Sequence, residues 1–449
     1  MPSRSTRTAR CRRGVTNRIV VVRVADHSHA IILRARRWMT VGLVVSIIGT
    51  RIIEGGSNGT VAAGILPVVW IAVLATVGQA LTFAAPLFAR VFSRYNPANV
   101  LIASDATEAL MSLLALGALL LYPSAAAPIL IAYLLVASVF PAASDIVEEF
   151  YAQQLAQLDS EHALRFNTAI YSIMAFIGLV IGMPLGSVVA GYSISWLIGV
   201  NMVLSAGGTV FRLVSARTLV AKPVADQDVE DFGALGKKTT LREFAADLVR
   251  TGPASPAVSF ITQLGAVMGG IYVYLWIAGS TGWPATTALG TVIAVFGVGA
   301  TIGPHAAPLL RRRLSIENAL LVAYVSAVGI LTLAILGITF LPTPANWIAG
   351  LTYVLLIAIT SRVRSVLTTT LRQQSFRGRR FSTVMSWSMA LTALADVMGN
   401  WTSVILGVIL VPQIGLGVYL LAMLAAIAVL SRRRRPQVDS DDERLGSGC

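Results

Sequence analysis

The sequence predicts an all-α, polytopic membrane protein with twelve transmembrane helices in two six-helix pseudo-symmetric halves. Three observations carry this. Hydrophobic residues fill 55% of 449 positions and charged ones 12%, at a mean hydropathy of +0.74, whereas soluble domains carry about 25% charged residues. Twelve apolar runs follow one another, each near the ~20 residues a helix needs to cross ~30 Å of hydrocarbon. Finally, AAPLFARVFS at 84–93 returns as AAPLLRRRLS at 306–315, identical at six of ten places after an offset of 222 residues. That offset is close to half the chain, and each copy ends an apolar run and opens a basic turn.

Residues 1–38 form a basic cytoplasmic arm with ten arginines and one acid, Asp26. Its apolar runs are too short for a secretory signal. Two readings stand for it: a disordered tail, or an arm that binds anionic lipid headgroups. The N-terminal bundle, 39–215, holds apolar runs at 39–61, 66–90, 100–121, 126–147, 168–190 and 193–214. A polar linker at 216–256 follows, in which Leu241, Phe244, Ala245, Leu248 and Val249 recur with helical spacing. That pattern predicts a short amphipathic helix on the inner leaflet, with a plain tether as the alternative. The C-terminal bundle, 257–431, has runs at 257–279, 286–310, 317–340, 345–361, 382–410 and 413–431, and the tail 432–449 is polar. Adding 222 to the starts of the first, third and fifth runs lands on the seventh, ninth and eleventh.

Orientation follows from arginine, which collects in short cytoplasmic loops. GGSNG at 55, YPSAAA at 122, GYS at 191, GSTGWPAT at 279, LPTPAN at 341 and VPQIG at 411 carry no charge and read as outer loops. Arg90 and Arg94, the segment 145–165, Arg311 to Arg313, the run Arg362 to Arg380 and Arg432 to Arg435 alternate with them. Both termini are therefore expected in the cytoplasm of a cell whose plasma membrane the chain crosses many times. The net charge of +14 is spread over ends and alternate loops, so nucleic acid is not an expected partner. Cys11 and Cys449 lie at opposite ends, without the spacing of a disulfide framework or a metal site. No phosphate-binding glycine loop or nucleophile elbow occurs, so neither an enzyme nor an ATP-driven pump is expected, and no cofactor.

Twelve runs in two halves, a long central loop and a basic turn after runs two and eight resemble the major facilitator superfamily over about residues 39 to 431. Within it the chain resembles bacterial efflux members of the enterobactin-exporter and macrolide-exporter type. Ser46 to Ile52 is similar to their first-span Ser-x-x-Gly-Asp pattern, with Thr50 where the Asp would stand. NVLIASDATEAL from Asn99 resembles the start of their third span, with Asp105 on the acidic position. IGMPLGSVVAG from Ile181 resembles the fifth-span Gly-Pro signature linked with export, retaining Gly182, Pro184 and Gly186. The resemblance implies proton-coupled rocking of two halves about a central site.

A charge at the centre of a span costs about 2.5–3.5 kcal/mol on insertion scales, so such residues normally face a partner or a cavity. Arg51 and Glu54 share one face of the first span. They read either as a proton-exchanging pair or as a structural ion pair, and Glu54 is alternatively near enough to the outer surface to be solvated. Asp105 and Glu108 repeat that spacing in the third span. Asp105 reads as a structural contact to the Arg90/Arg94 turn, and Glu108, one turn deeper, as the better proton carrier. Asp396 is the most isolated carboxylate, poised either to load and unload a proton or to pack on Asn400 or Gln263. Asn201, Gln263 and Asn400 are substrate-cavity candidates. Gly178, Gly182 and Gly186 share one face and suit tight packing or a rocking interface. Glu148 and Glu149 in the loop before span five, set against Arg377 and its neighbours before span eleven, suggest a charge-paired inner gate, with Arg312 on the same side. His162 and His305 have no ligand spacing.

The sequence thus predicts a secondary active transporter, a proton-coupled antiporter by which small amphipathic molecules of drug or siderophore type are exported. Glu54, Glu108 and Asp396 are its coupling candidates and Arg51 their charge partner. The expected partners are substrate, protons and lipids, and the expected state is a monomer. Uptake or lipid transport by the same fold is the alternative, followed by a non-transporting sensor or scaffold.

Overall fold

The computed structural model describes residues 37–83, 95–138, 147, 172–218, 255–342, 345–375 and 378–432. In the first half α1 is Arg37–Ala62, α2 Val69–Phe83, α3 Pro97–Leu121, α4 Ala126–Ala137, α5 Ser172–Tyr192 and α6 Ile194–Thr218. In the second, α7 Pro256–Met268 and α8 Ile271–Gly279 together form the seventh span. The remaining spans are α9 Ala285–Arg311, α10 Ile316–Phe340, α11 Ala345–Ser375, α12 Gly378–Ile405 and α13 Pro412–Arg432. Nine spans among the described residues are long and apolar enough to cross a membrane. With α2, α4 and α12 they fill the twelve places the hydropathy pattern predicts.

GGSNG at 55–59 is not a loop. α1 runs through it and ends at Ala62, and the chain turns over 63–66, where Gly64 takes φ +73°. The glycines serve close approach instead. A Cβ on Gly55 would stand 2.0 Å from the Met183 carbonyl oxygen, and one on Gly59 2.7 Å from that of Ser187. The backbones of α1 and α5 therefore touch where side chains would hold them apart.

The glycine face of α5 completes this crossing. Added Cβ atoms at Gly178 and Gly182 would meet the Arg51 side chain, and one at Gly186 would lie 2.0 Å from the Ile52 carbonyl oxygen. This face thus packs inside one half, not between halves as a rocking interface would. The turn Phe176–Gly182 is widened to π-helical form just before Pro184. A wider turn relieves the clash of a proline ring with the carbonyl one turn earlier. Gly186→Ala, a single methyl added here, is expected to cut the yield of folded protein sharply on size-exclusion chromatography, while Gly117→Ala, with nothing within 4 Å, leaves it unchanged.

Within the halves α3 packs along α6, α9 along α11, α7 against α12 and α13, and α10 against α11 and α13. Across the halves α2 lies on α12, and α5 on α9. In span numbers these are pairs 2–11 and 5–8, which exchange with each other when the halves are exchanged. A duplicated bundle therefore meets itself along two related seams.

Candidate functional site: a carboxylate on the seam between the halves

Asp396, half-buried on α12, stands where the halves meet. Gln263 of α7 donates from Nε2 to its Oδ1 at 2.6 Å, and Gln79 of α2, in the other half, donates from Nε2 to its Oδ2 at 3.0 Å. Asn400, one turn on, donates to the Asp396 carbonyl at 2.8 Å. One turn toward the charge-free end, Trp401 Nε1 donates to Thr76 Oγ1 of α2 at 2.9 Å. Ionised carboxylates only accept hydrogen bonds, and here each carboxylate oxygen receives a neutral amide. Glu54 of α1 acts on Asp396 as a like charge, and Glu54 is itself ion-paired with Arg51. Gln263 and Asn400 thus bond to Asp396, and Glu54, with its partner Arg51, acts on it from α1. Gln79 is an addition that no sequence spacing signals, since its partner lies 317 residues away.

A second polar cluster fills the core of the first half. Asp105 lies 3.0 Å from Arg212 Nε, each side chain 1% exposed, and accepts from Ser46 Oγ at 3.0 Å. Glycines make the room: a Cβ on Gly42 would lie 2.8 Å from Arg212 Cγ, and one on Gly208 2.9 Å from Asp105 Oδ2. The described partner of Asp105 is therefore an arginine of α6, and the Arg90/Arg94 turn lies outside the described residues. Glu108, one turn deeper, accepts from Asn201 Nδ2 at 3.1 Å. The same nitrogen reaches Ser112 Oγ at 3.2 Å and the Tyr133 hydroxyl at 3.0 Å. Asn201 is wholly buried, so it belongs to this core and does not share a cavity with Gln263 and Asn400. Among the described residues two carboxyls, Asp105 and Glu108, share this core with one guanidinium.

The second half carries the opposite sign. α11 continues past residue 361 to Ser375, so Arg362, Arg364 and Arg372 belong to a helix and not to the expected loop. Arg364 donates to the Tyr419 hydroxyl at 2.8 Å and to Met423 Sδ at 2.7 Å. Its guanidinium lies 5.3 Å from the Tyr324 ring centre and 5.9 Å from that of Tyr419. Arg372 donates to Ser259 Oγ of α7 at 2.5 Å. Both arginines are buried, and the acidic segment expected to face this run lies outside the described residues. Their described partners are aromatic faces, a thioether and hydroxyls, which suit a guanidinium better than an ammonium.

Arg312 caps α9 and is exposed at the arginine-rich end. Arg90, Glu148, Glu149 and Arg377 lie outside the described residues, as do the linker helix and the first copy of the repeated decapeptide. Gly182 lies on Arg51, Gly186 on Ile52, and Pro184 on the α5–α9 seam facing Gly290.

Twelve spans in two halves, meeting along paired seams with an acid held between them, define a membrane transporter. The chain belongs to the Major Facilitator Superfamily, whose family profile matches residues 38–400. Among solved structures it is similar to a bacterial homologue of the iron transporter ferroportin in the outward-facing state, at 17% identity and TM-score 0.64, over 88% of this chain and 98% of that one. It is also similar to the human organic anion transporter MFSD10 (TETRAN), at 14% identity and TM-score 0.61, over 89% and 99%. A third is the nucleoside transporter NupG, at 14% identity and TM-score 0.56, over 88% and 98%. At these identities the likeness is one of fold. No curated protein sequence matches the chain.

Proposed function

We propose that this protein is a secondary active exporter of the plasma membrane that exchanges protons for small amphipathic molecules. In this reading Asp396 is the principal coupling carboxyl, Glu54 the second acid of the seam, with Arg51 as its charge partner, and Glu108 a proton store in the first half. Gln263 and Asn400 border the substrate path. Both termini face the cytoplasm, with the arm 1–38, the linker 216–256 and the tail 432–449 on that side. The observation that carries the proposal is the position of Asp396: an ionisable group held by neutral amides from both halves, where a proton gained or lost acts on the contact between them. Intramembrane acids in such positions mark proton or ion pathways.

The test is accumulation. Cells lacking the protein are expected to retain more of an amphipathic dye or drug than cells expressing it, and a protonophore to erase the difference. A screen of such compounds with equal accumulation in both strains, with and without protonophore, overturns export. Greater accumulation in the expressing cells assigns uptake instead.

A further inference from the structure

Each half buries an arginine in its core, and the two are answered differently. Arg212 of the first half stands 3.0 Å from the Asp105 carboxylate. Arg364 of the second half, 7% exposed, is held between α10, α11 and α13 by neutral groups. Its Nη2 donates to the Tyr419 hydroxyl, its Nη1 to the Met423 thioether, a weak acceptor, and the Tyr324 and Tyr419 rings lie beside it. Nε is buried and meets no acceptor among the described residues. Nε and Nη2 form one edge of the planar guanidinium, so this unspent N–H lies next to the nitrogen that carries Tyr419. The Tyr419 hydroxyl is buried too. It accepts from Arg364, and among the described residues no acceptor takes its own proton.

The composition of this half sharpens the contrast. Residues 257–431 contain nine arginines and two acids, Glu317 and Asp396. Glu317 is exposed in the first turn of α10, and the Asp396 oxygens receive Gln263 and Gln79. Among the described residues no carboxylate lies within ion-pairing distance of Arg364. Taking a guanidinium out of water without a counter-charge costs more than ring faces and one neutral hydroxyl return.

We propose that Arg364 and Tyr419 form a binding site for a small inorganic anion, chloride or one of similar size, inside the second half. The anion accepts from Arg364 Nε and from the Tyr419 hydroxyl, and it answers the buried guanidinium there as Asp105 answers Arg212. Tyr324, Tyr419 and Met423 enclose the guanidinium, which suits a compact ion better than the head of an organic solute. Binding to the folded protein alone ties the stability of this half to the concentration of the anion by mass action. The site uses no residue of the Asp396 cluster, and its test needs no transported substrate.

The test is thermal unfolding of the purified full chain in detergent, titrated with sodium chloride while sodium gluconate holds the ionic strength constant. The unfolding temperature of the parent is expected to rise and saturate with chloride. In Arg364→Met the rise is expected to vanish, while Arg312→Met, which removes an exposed arginine, keeps it. Tyr419→Phe removes one donor to a charged acceptor, and its half-saturating chloride concentration is expected to be roughly tenfold higher. Should Arg364→Met fail to fold, that displacement carries the decision, and an unmoved half-saturation point refutes the site. A parent indifferent to chloride, or a rise of the same size in Arg364→Met, overturns the proposal. In crystals grown with sodium bromide, anomalous scattering is expected to place a bromide ion against Arg364 Nε; bromide found only elsewhere overturns it as well.

Discussion

Asp396→Asn is expected to reduce proton-driven efflux to the level of vesicles without the protein. The substitution is nearly isosteric, so the α2–α12 packing is kept, and its one carbonyl oxygen can accept from Gln79 or from Gln263, the other amide turning its own oxygen toward the Asn NH2. Only the capacity to exchange a proton is lost. Movement down a substrate gradient is therefore expected to persist where uphill movement does not, because a bundle that still alternates can equilibrate a solute without coupling it. The measurement is dye quenching in inside-out vesicles, with an imposed pH gradient and then with a dye gradient alone. Uphill transport by Asp396→Asn at the original rate would remove Asp396 from the coupling mechanism.

The largest effect on stability is expected at Arg212. Its side chain and that of Asp105 are each 1% exposed and 3.0 Å apart, with Glu108 one turn away and 3% exposed. Removing one partner of a buried ion pair leaves an uncompensated charge and typically costs about 3–5 kcal/mol. In Arg212→Met two carboxyls remain in a dry core with no cation among its described partners. That variant is expected to unfold far below the parent in detergent thermal scans. Adding Asp105→Asn removes the stranded charge, and the double variant is expected to recover most of the loss, because replacing a whole buried pair with neutral groups is often close to neutral. A double variant less stable than Arg212→Met would mean that the cluster is held by shape and not by charge balance.

Residues whose physics is local were legible in one dimension. Apolar runs of bilayer length mark spans because each helix satisfies its own backbone whatever its neighbours do. The carboxylates were legible for the same reason: an acid in an apolar run is conspicuous on composition alone, and Glu54, Glu108 and Asp396 were found in this way. Their partners were not. Asp105 took Arg212 from α6, an arginine near a span end that no local pattern singles out. The segment Arg362 to Arg380 looked like a basic loop because it is polar, yet α11 carries Arg364 into a cage of tyrosines. GGSNG looked like a turn because glycine and asparagine favour turns, although those glycines serve contact with α5 and α6.

Periodicity and composition were enough for the all-helical class, the number and order of spans and the internal duplication, since hydrophobic transfer and backbone hydrogen bonding act on each segment separately. Which ionisable groups meet, which glycines carry contacts and which seam holds a carboxylate were settled by packing alone. Those properties depend on distances between residues as far apart in the chain as Gln79 and Asp396, and no local pattern encodes such a distance.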